Sequence, residues 1–237
     1  MPFAELRDKL PFECYRLESL FEPGASLWKE LWASLVLSRQ ERQAFGELKG
    51  SERSQMQWLS ERTVAKDAVR SFLRKHHRIE LLPADIEIGQ DEHGGTFARG
   101  PWTQQLDAVP ALALAHEGGM PVALAADGGH GRRIGLGIES VRELPADFEN
   151  SVLNAGERHL LNAMTQSTRA EWILRLYCAR LAAGRAVGRR VNLTIVAFNE
   201  HTGEVDVMED SGQRVLVYTA REQTRVVAIG IYEKRTQ

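Results

Sequence analysis

The stretch TRAEWILRLYCARLAAGRAVG, residues 168–188, decides our interpretation of the fold. Thr168 and Glu171 have the spacing of a capping box, in which two side chains bond each other's backbone N–H at a helix N-terminus. Gly188 is placed as a C-terminal stop, and Arg185 puts a positive charge in the last turn, where the helix dipole favours it. The sequence therefore predicts a long helix that begins at Thr168 and ends before Gly188.

A second long helix is predicted over Glu52–His77. Its apolar residues recur at the spacing of one helix face, which is typical of a helix packed on a core. They are Trp58, Ala65, Val69, Phe72 and Leu73. The leucine-containing stretch Leu27–Leu48 predicts one further helix before it.

Short apolar runs separated by turn residues predict strands after each long helix. The predicted strands are Ala111–Ala115, Pro121–Ala126, Arg133–Val141, Asn192–Phe198, Glu204–Met208, Arg214–Thr219 and Thr224–Tyr232. The order of helices, strands, helices and strands predicts an α+β protein with mostly antiparallel pairing. We expect two pseudo-duplicated lobes, each a small antiparallel sheet packed with a long helix.

The composition and charge of the chain exclude several classes of protein. Apolar residues make up 43% and charged residues 26% of the chain, which is ordinary for a globular protein. The net charge of −2 excludes a global basic field for nucleic acid, although it does not exclude a local basic patch. No apolar run is long enough for a bilayer, and MPFAELRDKL lacks the apolar segment of a secretory signal. Two distant cysteines, Cys14 and Cys178, indicate a reducing cytoplasm.

Several short motifs occur along the chain in a fixed order. Each motif is common by itself, but the ordered series is more specific for a protein family. It begins with Trp58-Leu59 and continues with Arg62 and Lys66, four residues apart on the predicted helix. The later members are an acidic glycine loop, a histidine at a strand end, a glycine-rich strand with an acid, and the long helix. They are Asp91–Gly95, Ala115-His116-Glu117, Gly135-Leu136-Gly137-Ile138-Glu139 and Tyr177–Gly188.

This series resembles the 4′-phosphopantetheinyl transferases of the surfactin-synthetase-activating type. In that family the last four motifs read roughly D-x-x-G-x-P, S-H-S, G-(I/V)-D-(I/V)-E and W-x-x-K-E-A-x-x-K-x-x-G. The leading segment Leu27–Phe45 looks like the start of transferase domains fused to polyketide synthases. The resemblance implies a helical lead-in over residues 1–49. It implies a transferase-like domain over residues 50–237, in two halves of about 50–120 and 121–237 without a clear linker.

The resemblance also implies a chemistry. Family members bind coenzyme A and magnesium, and a serine of an acyl carrier protein attacks the β-phosphate while 3′,5′-ADP leaves. Carboxylates hold the metal against the pyrophosphate, which neutralises charge on the leaving group. Cationic side chains and a histidine hold the phosphates.

The metal positions of the family are degraded in this chain. The strand aspartate falls on Gly137 and the helix glutamate on Leu181, so Glu139 is the residual carboxylate. Magnesium requires near-octahedral oxygen ligands, and we expect it to bind weakly or not at all. The resemblance therefore implies no intact catalytic centre. If the rest of the site is intact, Gly137→Asp with Leu181→Glu is expected to gain magnesium-dependent transfer above the parent.

The phosphate-binding positions are better preserved. The resemblance implies that five residues contact coenzyme A, namely Arg62, Lys66, His116, Arg180 and Arg185. Each is common by itself, as a solvated helix cation or a structural histidine. The order of the motifs carries the interpretation.

Three functions remain open at this point. The favoured one is a pseudoenzyme that keeps affinity for coenzyme A or an acyl carrier protein in polyketide or fatty-acid-type biosynthesis. The second is an active magnesium-dependent transferase, in which Glu117 or Asp127 aids Glu139. The third is a docking, structural or repurposed domain of a larger polyketide synthase. No nucleic acid and no membrane are expected as partners.

Overall fold

The structure is a computed structural model, and it describes residues 4–16, 26–91, 95–117, 119–162, 164–189 and 191–233. The chain divides into two compact units, Leu10–Gly131 and Arg132–Gln237, and the second unit also includes Met1–Lys9 with helix α1 (Ala4–Lys9). Every strand pair in the described ranges is antiparallel, so the predicted α+β class with antiparallel sheets is confirmed. No helix in these ranges is long and apolar enough to cross a membrane.

The first unit consists of one strand, three helices and four further strands. These are β1 (Phe12–Arg16), α2 (Ser26–Val36), α3 (Arg39–Glu47), α4 (Glu52–Phe72), β2 (Glu87–Gln90), β3 (Thr96–Arg99), β4 (Ala111–Glu117) and β5 (Met120–Ala126). The sheet order is β1-β5-β4, and β2 and β3 form a hairpin whose strand β3 contacts β4. Helix α4 packs on this sheet, because Val64, Ala68 and Phe72 meet Leu112 and Ala123 in one core.

The predicted helix over Glu52–His77 is confirmed, and its last five residues, Leu73–His77, form a π-helical turn. The single helix expected over Leu27–Leu48 is wrong, because Ser38 separates α2 from α3. The Ser38 hydroxyl accepts the N–H of Glu41 at 3.2 Å, and the Glu41 carboxylate accepts the N–H of Ser38 at 2.9 Å. This capping box begins a new helix.

The second unit repeats the arrangement of one strand, helices and four strands. These are β6 (Arg133–Ser140), α5 (Phe148–Val152), α6 (Ala155–Leu160), α7 (Gln166–Val187), β7 (Leu193–Phe198), β8 (Glu204–Glu209), β9 (Arg214–Glu222) and β10 (Arg225–Tyr232). The sheet order is β6-β10-β9-β8-β7, and α7 packs on β6, β10 and β9. The core combines small helix residues with strand valines, for example Ala179 and Ala182 with Val217 and Val226.

The long helix of the second unit is found where it is predicted, and Gly188 follows it with φ +69°. The predicted capping box is wrong, because Thr168 lies inside α7 and its hydroxyl donates to the Thr165 carbonyl at 3.1 Å. Glu171 instead pairs with two arginines, Arg175 at 2.7 Å and Arg221 at 2.9 Å. Thr165 is the residue that precedes the helix.

The sheets of the two units share part of their strand order. In each, the last strand lies between the first strand and the penultimate strand: β5 between β1 and β4, and β10 between β6 and β9. The expected division near residue 120 falls inside the β4–β5 hairpin, whereas the units divide between Gly131 and Arg132. Helices α2 and α3, expected in a separate lead-in, belong to the first unit.

Candidate functional site

A buried ion pair joins the long helix of the first unit to a capping carboxylate. The Lys66 side chain is completely buried; its ammonium group binds the Glu41 carboxylate and donates to the Val36 carbonyl at 2.8 Å. Glu41 also accepts the N–H of Ser38 at 2.9 Å and of Ile88 at 3.0 Å. The charge of Lys66 is therefore matched inside the protein.

The second unit contains the same arrangement. The Arg180 guanidinium binds the Glu157 carboxylate and the Val152 carbonyl. Glu157 is completely buried and accepts the N–H of Asn154 at 2.8 Å and of Ile195 at 2.9 Å. Each long helix thus supplies one cation to a carboxylate that also caps a short helix and holds a strand.

These two networks belong to a short sequence repeat that our sequence analysis does not find. Residues 36–42 read VLSRQER and residues 152–158 read VLNAGER. The final arginine of each repeat has the same partner, since Arg42 donates to Leu37 O at 2.9 Å and Arg158 to Leu153 O at 2.7 Å. An alignment of the stretch before one long helix with the stretch before the other would have revealed this repeat.

The structure therefore places Lys66 and Arg180, both expected to hold coenzyme A, in structural ion pairs. Burial lowers the pKa of Lys66, an effect that Glu41 opposes. For Glu157, burial by itself raises the carboxyl pKa, but hydrogen bonds from Arg180, Ile195 and Asn154 bring it below its ordinary value.

The lowered pKa of Glu157 predicts a pH-dependent stability. A carboxyl whose folded-state pKa is below its unfolded value stabilises the fold fully above the unfolded value, and this stabilisation is lost as the pH falls through the folded value. We expect Glu157→Gln to be less stable than the parent at neutral pH. The difference should shrink in acid, measured by urea unfolding across the acidic range. A difference that stays constant down to strong acid would contradict this assignment.

A second group of side chains in the first unit surrounds Glu61. His116 Nε2 lies 2.9 Å from Glu61 Oε1, and Arg62 Nη1 lies 3.8 Å from Glu61 Oε2. The Arg62 guanidinium stacks 4.1 Å from the centre of the Trp58 ring. Trp58 and Glu61 line a cavity of about 310 Å³, to which Lys49 also contributes. We call Trp58, Glu61, Arg62 and His116 the Arg62 cluster.

The charges of the Arg62 cluster offset one another in part, because Arg62 interacts with the carboxylates of both Glu61 and Glu41. Burial tends to raise the pKa of Glu61, but its hydrogen bond and charge interaction with His116 hold that pKa below its ordinary value. Burial lowers the pKa of Arg62, and its Nε is buried with no hydrogen-bond partner among the described residues. An unsatisfied buried donor on a cation favours the approach of an acceptor.

Gly137 cannot carry a metal ligand. It lies on β6 where a Cβ atom would overlap the carbonyl oxygen of Cys178 on α7, and a Cβ on Gly135 would overlap the carbonyl oxygen of Ala182. These glycines let the helix backbone approach the strand directly. This packing opposes the expectation that Gly137→Asp restores a ligand, because helix backbone occupies that space.

The residual carboxylate Glu139 is half-buried. It makes no ion pair and no hydrogen bond with any residue that the structure describes, and it lies near Tyr177 and Cys178. Burial raises the pKa of both, and Glu139 adds to that effect. Arg185 donates to the Leu136 carbonyl. With glycine and leucine at the other two positions, this set of residues does not fit a magnesium ion.

The expected coenzyme A residues are thus distributed over the two units. Arg62, Lys66 and His116 belong to the first, and Arg180 and Arg185 to the second. Glu117 and Asp127, considered as additional metal ligands, lie in the first unit, and Glu139 lies in the second.

In the predicted acidic glycine loop, Asp91 Oδ1 accepts the N–H of Gly95 at 2.7 Å. Glu92, His93 and Gly94 lie outside the described residues. Across the described ranges, no group of three or more His, Cys, Asp or Glu residues is placed to hold a metal ion. The sequence matches no protein-family model and no curated protein.

Proposed function

We propose that this chain is a catalytically degenerate 4′-phosphopantetheinyl transferase-like domain, which binds coenzyme A or a carrier protein without transferring the phosphopantetheine. The observation that carries the proposal is the packing at Gly137. Transfer in the family requires a metal held by carboxylates, and helix backbone fills the space that one of them would need. Leu181 removes a second carboxylate.

Two further features support the transferase-like ancestry. One is the order of motifs from Trp58 to Gly188. The other is the strand order that the two units share in part, with a corresponding cation–carboxylate pair in each unit. A duplicated antiparallel architecture agrees with the two lobes that the resemblance implies. Fold by itself does not fix function, so the binding proposal rests on the Arg62 cluster.

The Arg62 cluster would hold the nucleotide part of coenzyme A. Arg62 presents a planar guanidinium suited to phosphate oxygens, and His116 adds a second nitrogen donor. Trp58 and the exposed Lys49 line the neighbouring cavity, where Lys49 adds a positive charge. Lys66 and Arg180 are not included, because their partners are Glu41 and Glu157.

The proposed partners are an acyl carrier protein or a larger polyketide synthase, and the proposed compartment is the cytoplasm. Neither cysteine is in a disulfide: Cys14 is exposed and Cys178 is buried. An exposed cysteine outside any disulfide is typical of a reducing compartment, which supports this localisation.

Calorimetric titration with coenzyme A, with and without magnesium, tests the binding proposal. We expect binding that magnesium does not strengthen and that added salt weakens, because contacts between phosphates and partly exposed cations are screened. Arg62→Gln should weaken binding by about tenfold or more, since hydrogen bonds to charged groups contribute about 1.5–3 kcal/mol. Arg53→Gln, which removes an exposed charge from the same helix, is the control.

A transfer assay with labelled coenzyme A and an apo carrier protein separates the alternatives. Magnesium-dependent labelling at an ordinary enzymatic rate would establish an active transferase and overturn the proposal. No coenzyme A binding, together with retained carrier-protein binding, would favour a docking domain.

A further inference from the structure

The π-helical turn that follows α4 is strongly basic. Residues 74–78 read RKHHR, and all five side chains are exposed. Lys75 binds Glu13 at 2.7 Å, and His76 lies 3.8 Å from the same carboxylate. Glu13 is itself almost completely buried, so the outward surface of this segment carries the positive charges. We call Arg74–Arg78 the basic turn.

Contacts within the protein explain only some of the basic residues in the basic turn. Positive charges near a helix C-terminus interact favourably with the helix dipole. However, the side chains of Arg74, His77 and Arg78 make no hydrogen bond or ion pair with any residue in the described ranges, and so cap no carbonyl there. The charges of Arg74 and Arg78 are therefore presented to solvent.

The basic turn is held in one conformation by its backbone and by Phe72. It is a π-helical turn, a form found frequently at functional sites, and Arg78 ends it with φ 58° while donating its N–H to the Leu73 carbonyl. The Phe72 ring lies 4.7 Å from the His76 ring and 5.7 Å from the His77 ring. Glycine adopts such a positive φ more easily than arginine, so the backbone gives no reason for an arginine at this position.

We propose that the basic turn is a docking surface for an acidic protein segment, and that it is separate from the Arg62 cluster. Its charges are concentrated over one turn, which suits a short run of glutamates and aspartates. An extended polyanion such as nucleic acid would need a longer basic track, and the chain's net charge of −2 opposes it. Exposed Glu80, two residues beyond Arg78, interrupts such a track. The proposal stands independently of coenzyme A binding.

Fluorescence anisotropy of the whole chain with three labelled probes tests this surface. The probes are a glutamate-rich helical peptide, its glutamine-rich counterpart and a single-stranded oligonucleotide of equal charge. We expect the glutamate-rich peptide to bind, the glutamine-rich peptide not to bind, and added salt to weaken the binding.

Two variants separate docking from folding. Arg78→Gly should preserve the fold, because glycine adopts the positive φ of this position easily, and Arg74→Gln removes a charge from an exposed position. Together they should weaken binding of the glutamate-rich peptide by about fivefold or more, whereas Arg53→Gln leaves it unchanged. Tighter binding of the oligonucleotide, unchanged peptide affinity in the double variant, or no peptide binding at low salt would overturn the proposal.

Discussion

Gly137→Asp is expected to destabilise the protein by about 3 kcal/mol or more, and to gain no magnesium-dependent transfer. A Cβ at this position overlaps the carbonyl oxygen of Cys178, which is backbone and cannot rotate away. Overpacking in a close-packed core costs about 1–3 kcal/mol, and a buried unpaired carboxylate adds to this. Urea unfolding followed by circular dichroism measures the loss as a lower midpoint.

Two matched variants test whether the overlap with the Cys178 carbonyl, and not merely the loss of a glycine, destabilises the protein. Gly46→Ala in α3 has no atom within 4 Å of the added Cβ and should leave stability unchanged or raise it slightly. Leu181→Glu changes a half-buried position and should remain folded. A Gly137→Asp variant with the parent's midpoint would show that α7 moves aside, and the Gly137 argument for a degenerate centre would fail.

The elements that follow hydrophobic periodicity could be predicted from the sequence. The long helices and the closing antiparallel strands are found within a few residues of their predicted bounds, since each has an uninterrupted apolar face or run. Strand β1 has no such pattern, and it forms because it pairs with β5. The break at Ser38 and the start of α7 after Thr165 depend on caps, which several nearby Ser and Thr residues could have supplied equally well.

The partners of the candidate site residues could not be predicted from the sequence. A sequence motif identifies Lys66 and Arg180 as cations in phosphate-binding positions, but it does not show that Glu41 and Glu157 already neutralise them. Those carboxylates lie on other helices and are brought to the cations by the fold. The motif also shows that Gly137 stands where the family has a metal ligand. It does not show that the backbone of α7 fills the space beside Gly137, which is visible only in the structure.

Lys66→Met is expected to destabilise the first unit by about 3–5 kcal/mol, because it leaves the buried Glu41 carboxylate without its counter-charge. Arg180→Met should act in the same way on the second unit through the completely buried Glu157. Arg221→Met is the control, since Arg221 pairs with Glu171 at 2.9 Å but is 49% exposed, and Glu171 keeps Arg175 as a partner, so the change should cost at most about 1 kcal/mol. Urea unfolding midpoints compare the three variants.

The double variant Lys66→Met with Glu41→Leu removes both charges and should recover much of the stability that Lys66→Met loses, because no unpaired charge remains buried. Recovery would show that Lys66 acts through Glu41, and weak coenzyme A binding by Lys66→Met alone would then reflect unfolding. If Lys66→Met instead kept the parent's midpoint and lost only affinity for coenzyme A, Lys66 would be a ligand contact and the duplicated ion pair would not be structural. Arg62→Gln separates the two cases, since Arg62 makes no hydrogen bond to Glu41, which keeps Lys66 as its partner, and the variant should change affinity with little change in midpoint.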